Sequence, residues 1–427
     1  MALIVINASR RGKRRLRVRA YVWRSLGVLL ALLLLRAAWH SPPERAQLAV
    51  DQATRGERFD LVTWEIAALT GKLVDALHPP AAGLDVAARS KLVRGYLQSA
   101  RRAGELEDEI ERIYSDPAQR DPAAASAAQR QELATLAAAL AVQAPTVEAI
   151  LQEQLTTIIE AEGLTTGHFV WPPVRMRFTE PPYLLVVSPR TRIERLDTVD
   201  LLPRLDSAQR TAIEQGVVTN DPSLSAYVTG IGGYGVYPTM VVDRYGLPWS
   251  AETIAHEWIH NYLAFRPLGW SFLEGGPNVT INETVASIAG EELGRALLAH
   301  YYPDLLPSPA APQANPPKKD PNAFDFNAAM HQTRLHVDEL LAAGQVDEAE
   351  AYMEAQRQVF VAHGYTLRVL NQAYFAFHGS YATGAAASDP IGPKLTRLRA
   401  ASASLRDFLH TVEGITSVAE LDAAIGE

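Results

Sequence analysis

Residues 252–265 read ETIAHEWIHNYLAF, and three side chains in this stretch restrict the fold more than any other feature of the chain. On a helix, His256 and His260 lie four residues apart and so project from one face about a turn apart. Glu257 falls about 100° further round the axis. Two imidazoles at this spacing can converge on one ion, and the adjacent carboxylate is angled to hold a water beside it. Such a helix must pack against an element that completes the site. Ser250 is the expected N-cap, with the helix running to about Phe265.

The H-E-x-x-H pattern belongs to zinc-dependent proteases, in which the glutamate is the general base. The metzincin extension requires Gly and His where this chain has Leu263 and Arg266, which excludes that branch. Downstream, NVTINETVASIAGEELGRALLAHYY reads as a second helix, and the Gly/Pro-rich RPLGWSFLEGGPN lets it fold back on the first. Its INETVAS segment resembles the Asn-Glu-x-x-Ala motif of gluzincins, the thermolysin-like and aminopeptidase-like metallopeptidases. The resemblance makes Glu283 the third zinc ligand, with Glu291 and Glu292 on the same helix as competing carboxylates. Two histidines and one carboxylate then leave a fourth tetrahedral position for water, the pattern of a catalytic zinc. Thermolysin-like enzymes carry an aspartate four residues past this glutamate to orient a zinc histidine. Here the residue is Ser287, so support for the ring is expected from Asn282 or Glu291.

Gluzincins also bring a Tyr or His from a later helix to the developing oxyanion. RVLNQAYFAFHGSYA holds Arg368, Tyr374, His378 and Tyr381 close together. This stretch is similar to the carboxyl-terminal region of a bacterial family described as aminopeptidases. The resemblance favours Tyr381 as the catalytic donor, with His378 and then Tyr374 behind it. The alternative is that these aromatics form the core face of their helix.

The expected fold is α+β and predominantly helical. Residues 1–40 combine nine Lys or Arg and no acid with an apolar run, Ser25 to Leu35. They are expected to form a signal anchor, or else a cleaved signal peptide, that leaves the body outside the cytoplasm. The formal net charge of −8 therefore hides a body at −17, which speaks against a nucleic-acid groove. The chain has no cysteine, which removes disulfides, thiolate ligands and cysteine nucleophiles. Residues 41–165 read as helical, with a structural or spacer role. Residues 166–302 form the metallopeptidase core. Within it, FVWPPVRMRF and PYLLVVS are expected to pair as strands, a helix at SAQRTAIEQG to stop at Gly216, and YVTGIGGYGVYPTMVVDRYG to be an edge strand beside the catalytic helix. Open edges accept extended peptides as added strands. Seven prolines between Pro303 and Pro321 mark an insertion over 303–322, and 323–427 is a helical carboxyl-terminal lobe. The implied activity is peptide-bond hydrolysis with one zinc ion, a peptide or protein substrate, a membrane contact through the amino terminus and no nucleic acid. The competing readings are a zinc hydrolase acting on a non-peptide amide and an inactive surface scaffold of the same fold.

Overall fold

The computed structural model describes residues 44–115, 118–306, 324–381, 384–387 and 390–426. The proposed anchor and nearly all of the Pro-rich insertion therefore lie outside the described residues. The chain divides into Met1–Leu48, of which the described part only opens the first helix, and Ala49–Glu427, which holds everything that follows.

Helices lead as expected: α1 (Glu44–Ala53), α2 (Leu61–Leu77), α3 (Val86–Ser115), the single turn α4 (Pro122–Ala125) and α5 (Ala127–Ala161). Asp60 caps α2 by accepting from the Thr63 amide at 3.0 Å. Of the described helices, α5 alone is long and apolar enough to cross a membrane. Its second half buries Val147, Ile150, Leu151, Leu155 and Ile159 in the main core, whereas the apolar stretch itself is only 17% buried.

Two three-stranded sheets follow. One has the order β3 (Asp197–Leu201), β2 (Tyr183–Pro189), β4 (Leu224–Thr229), all antiparallel. The other has the order β1 (Met176–Phe178), β6 (Thr239–Val241), β5 (Gly233–Tyr234), with β1 parallel to β6 and β5 antiparallel to it. The expected pairing of β1 with β2 is therefore wrong: each joins a different sheet. The Glu180-Pro181-Pro182 turn redirects the chain instead of folding it into a hairpin. The long segment around the glycines is likewise three strands, and of these β4 and β5 are sheet edges while β6 is central. The turn residues before β6 spare its ladder, since Pro238 precedes the first paired residue, Thr239. Helix α6 (Ser207–Asn220) runs through Gly216, because a capping box between Asp206 and Gln209 starts it firmly and Val217 is buried beyond the glycine.

The sheet with β5 lies on α7 (Leu247–Leu263), which carries the histidines. This helix starts earlier than Ser250, at a positive-φ glycine, Gly246 (φ 86°), with Pro248 in its first turn. Ser250 is buried inside it rather than capping it. After the single turn α8 (Pro267–Ser271), α9 (Pro277–Tyr301) returns against α7, again entered by a positive-φ glycine, Gly276, and a proline. The lobe that follows contains α10 (Phe326–Ala342), α11 (Val346–Ala362), α12 (Gln372–His378), α13 (Ile391–Ala401), α14 (Leu405–Val412) and α15 (Val418–Ile425). One core joins α3, α5, α7, α9 and α13 to α15, through Tyr96, Ile150, Trp258, Ile281, Leu395, Phe408 and Leu421. A smaller core holds α10 to α12 together.

The contact between α7 and α9 is unusually close. A Cβ on Gly290 would lie 2.8 Å from the Cα of His256, and one on Gly294 would lie 2.7 Å from the Cα of Glu252. Gly290→Ala forces the two backbones apart, so its expected cost is about 1–3 kcal/mol in denaturant unfolding. The contrasting variant is Gly95→Ala in α3, where nothing lies within 4 Å of the added methyl. It should stabilise by about 0.5–1 kcal/mol.

Candidate metal centre

Because α7 and α9 meet so closely, the three expected ligands converge. Nε2 of His256 and Nε2 of His260 are 3.1 Å apart, and Oε2 of Glu283 lies 3.6 Å from the first and 3.5 Å from the second. A tetrahedral ion with bonds of about 2.0–2.1 Å separates its ligands by about 3.3–3.4 Å. The donor triangle thus has the size such an ion needs. Oε2 of Glu283 is moreover buried without a hydrogen-bond partner. A buried carboxylate oxygen left in this condition is costly unless a cation meets it. The electrostatics agree. Burial disfavours charge on His260, but the Glu283 carboxylate outweighs it and lifts the ring to about 9. Burial would also raise Glu283, yet the two imidazoles hold it well below the usual carboxylate range. Glu283 and His260 therefore each favour the charged form through the other.

One ring is held from behind. Nδ1 of His260 is 2.8 Å from Oδ1 of Asn282, whose Nδ2 in turn donates to the carbonyl of Leu268 at 3.5 Å. That amide orientation makes Nδ1 the donor, so Nε2 is the nitrogen turned toward the triangle. Asn282 thus supplies the support that Ser287 does not, since Ser287 donates to the Glu283 carbonyl at 2.9 Å. Glu291 pairs with Arg295 on the surface, and Glu292 pairs with Arg399. Neither of these reaches the site.

Glu257 is buried, and burial raises its pKa, with the nearby Glu283 adding to the rise and the two imidazoles opposing it. Its carboxylate is roofed by β5. A Cβ on Gly233 would stand 2.3 Å from Oε1 of Glu257, and one on Gly235 would stand 3.2 Å from Oε2. A larger residue at Gly233 would displace Glu257 or Thr253, whereas at Gly235 the tightest contact is with Cβ of His260 at 3.0 Å. The roof is tied to α7 by Asn261, whose Nδ2 donates to Oγ1 of Thr239 at 3.0 Å and to the Val236 carbonyl at 3.3 Å. The role of these glycines was missed in the sequence, although Gly233 and Gly235 alternate as one face of an extended segment should.

Of the later candidates, Tyr381 comes nearest in effect. Its phenol is held well above the ordinary value by the Glu283 carboxylate first, then by burial and by Glu257. His378 points elsewhere: its Nε2 is 3.3 Å from the Tyr227 hydroxyl, and its ring lies 4.2 Å from that of Tyr374. Arg368 is spent on Glu214 and the Val228 carbonyl. The expected helix there is short, α12 alone, because Asn371 caps it by accepting from the Tyr374 amide. Tyr374 is thus buried in the smaller core, and His378 lies partly buried against its ring.

Compared with known proteins, the chain matches no family profile, no curated protein and no solved structure.

Asn282→Ala should weaken metal binding about 10–100-fold with little change in fold. Chelator competition followed by metal analysis measures it. A second prediction concerns pH. Burial lowers His378 from its ordinary value of 6.5 to about 4. The unfolded chain then takes up this proton before the folded one does. Stability from this source is undiminished above about pH 6.5, falls as the pH drops, and is lost by about pH 4, amounting to about 3 kcal/mol. His378→Phe should remove that share of the difference between unfolding curves at pH 7 and pH 4.

Proposed function

We propose that this chain is a zinc-dependent metallopeptidase of gluzincin type, held at the membrane by its amino-terminal segment with the catalytic body outside the cytoplasm. The observation that carries this reading is the triangle of His256, His260 and Glu283, sized for a tetrahedral ion and closed by a buried carboxylate oxygen without a partner. A zinc ion held there supplies Lewis acidity and lowers the pKa of a water toward neutrality.

The chain's own residues account for the remaining steps. Glu257, adjoining the ligands and raised by burial, takes the proton from the attacking water and delivers it to the leaving amine. A carboxyl with its pKa raised suits both halves of that transfer. Tyr381 donates to the oxygen on which negative charge grows, a role supported by its phenol being held protonated by the Glu283 carboxylate, by burial and by Glu257. His378 positions the Tyr381 segment through the aromatic cluster instead of touching substrate. The substrate is an extended peptide laid along the open edge of β5, where the Gly233 and Gly235 backbone passes directly over Glu257.

Glu257→Gln should retain one zinc per chain and lose peptide hydrolysis by at least a thousandfold, about the size expected for a lost general base. His256→Ala should lose the zinc itself. Metal analysis and a peptide-library assay read by mass spectrometry test both. Undiminished hydrolysis in the glutamine variant defeats the mechanism, and zinc unchanged in the alanine variant removes the site.

A further inference from the structure

Arg195, in the segment between β2 and β3, differs from the arginines around it. Arg190 pairs with Glu350, Arg192 with Glu194, Arg204 with Glu180 and Arg368 with Glu214. Among the described residues no carboxylate lies within ion-pair distance of Arg195. Its Nη2 donates to Oγ of Ser380 at 2.8 Å, and its Nε is buried without an acceptor.

The guanidinium is nevertheless fixed in place. The Ser380 hydroxyl donates to the Phe377 carbonyl at 2.6 Å, which leaves its lone pair for Arg195. The Phe377 ring lies 5.6 Å from the guanidinium carbon and covers one face. The same ring is 5.8 Å from that of Tyr381. Arg195 and Tyr381 therefore flank one aromatic plate, and Arg195 grips the residue preceding Tyr381 in the chain. Tyr381 also packs in a cluster with Ile231, two residues before the Gly233 that roofs Glu257. The positive charge of Arg195 reaches the Tyr381 phenol, as do the charges of Glu283 and Glu257. A half-buried guanidinium without a carboxylate partner, held rigid against the segment that carries Tyr381, is incomplete without an anion.

We propose that Arg195 is the substrate-binding residue for a carboxylate, so that this enzyme selects peptides carrying one near the scissile bond, as a free carboxyl end or as an acidic side chain. The planar fork of the guanidinium matches a carboxylate by two parallel hydrogen bonds, which a neutral amide cannot reproduce. This rests on the peptidase reading above and names the substrate class for it.

The test uses the full-length, zinc-loaded Glu257→Gln protein, which binds without turning over. Dissociation constants are measured for hexapeptides with free or amidated carboxyl ends, and for amidated ones with Asp or Glu against Asn or Gln at each position. At least one carboxylate form should bind tenfold or more tightly than its amide, and the arm in which this appears identifies the source. Adding Arg195→Gln should erase that preference while leaving the amide forms within twofold, and Arg195→Lys should restore part of it. Equal affinities for acid and amide in the parent overturn the proposal whether or not the arginine variants fold. So does a loss in Arg195→Gln that is the same for all peptides, the mark of a purely structural arginine. Absence of both peptide binding and cleavage by the zinc-loaded wild type overturns the peptidase reading as well, whereas binding without a carboxylate preference overturns only the assignment of Arg195.

Discussion

The geometry of the centre depends on one close crossing. His256 and His260 are on α7, and Glu283 is on α9, so the donor triangle is set by how near the two helix backbones come. Gly290 and Gly294 permit that approach, since a methyl at either would meet the facing backbone below 3.0 Å. Around them Ala251, Ala255, Ala286 and Ala289 are fully buried and equally small. Small residues at a helix crossing shorten the interaxial distance, and here they bring an acid and two imidazoles within bonding range of a common point.

A second consequence is electrical. The crossing buries Glu257 and Glu283 in the company of only two rings, a collection of charges that a protein interior resists. Glu283 is held ionised by the imidazoles, whereas Glu257 is pushed toward its protonated form. The two carboxylates are thereby set apart by environment alone, one kept in its charged form and the other moved toward its neutral form.

The convergence of these side chains was legible in the sequence because it depends on residues a few positions apart on single helices. The spacing of His256, Glu257 and His260, and the position of Glu283 in the second helix, translate directly into faces of α7 and α9. The predominantly helical α+β fold was legible for the same reason, in the apolar spacing of α2, α3, α10 and α11. What escaped was non-local. The partner of a strand is chosen by the whole sheet, so β1 was matched with its neighbour in sequence, β2, when it pairs with β6 across some sixty residues. Strand β3, half exposed and rich in Asp and Thr, carried no strong apolar pattern. The glycine roof was visible as glycines, but what they avoid, the Glu257 carboxylate, is known only once β5 is laid over α7.

The amino-terminal helices are more than a spacer, since they support that roof by a chain of hydrogen bonds. Strand β1 pairs with β6 on one side, and its other edge is served by α5: Gln152 Oε1 accepts from the Met176 amide at 3.0 Å and Glu148 Oε1 from the Phe178 amide at 2.9 Å. Glu148 can be buried in this role because Lys72 of α2 meets its other oxygen at 2.5 Å. Side chains from a helix thus stand in for a missing strand, which closes an edge that would otherwise be open to pairing. From α2 the Glu65 carboxylate also accepts from the Tyr237 amide at 3.3 Å, in the turn between β5 and β6. The strand over Glu257 is therefore anchored from both ends of its small sheet, by α5 through β1 and by α2 through the turn. Among the described residues the far edge of β5 carries no further strand, and Gly233 of β5 lies over Glu257.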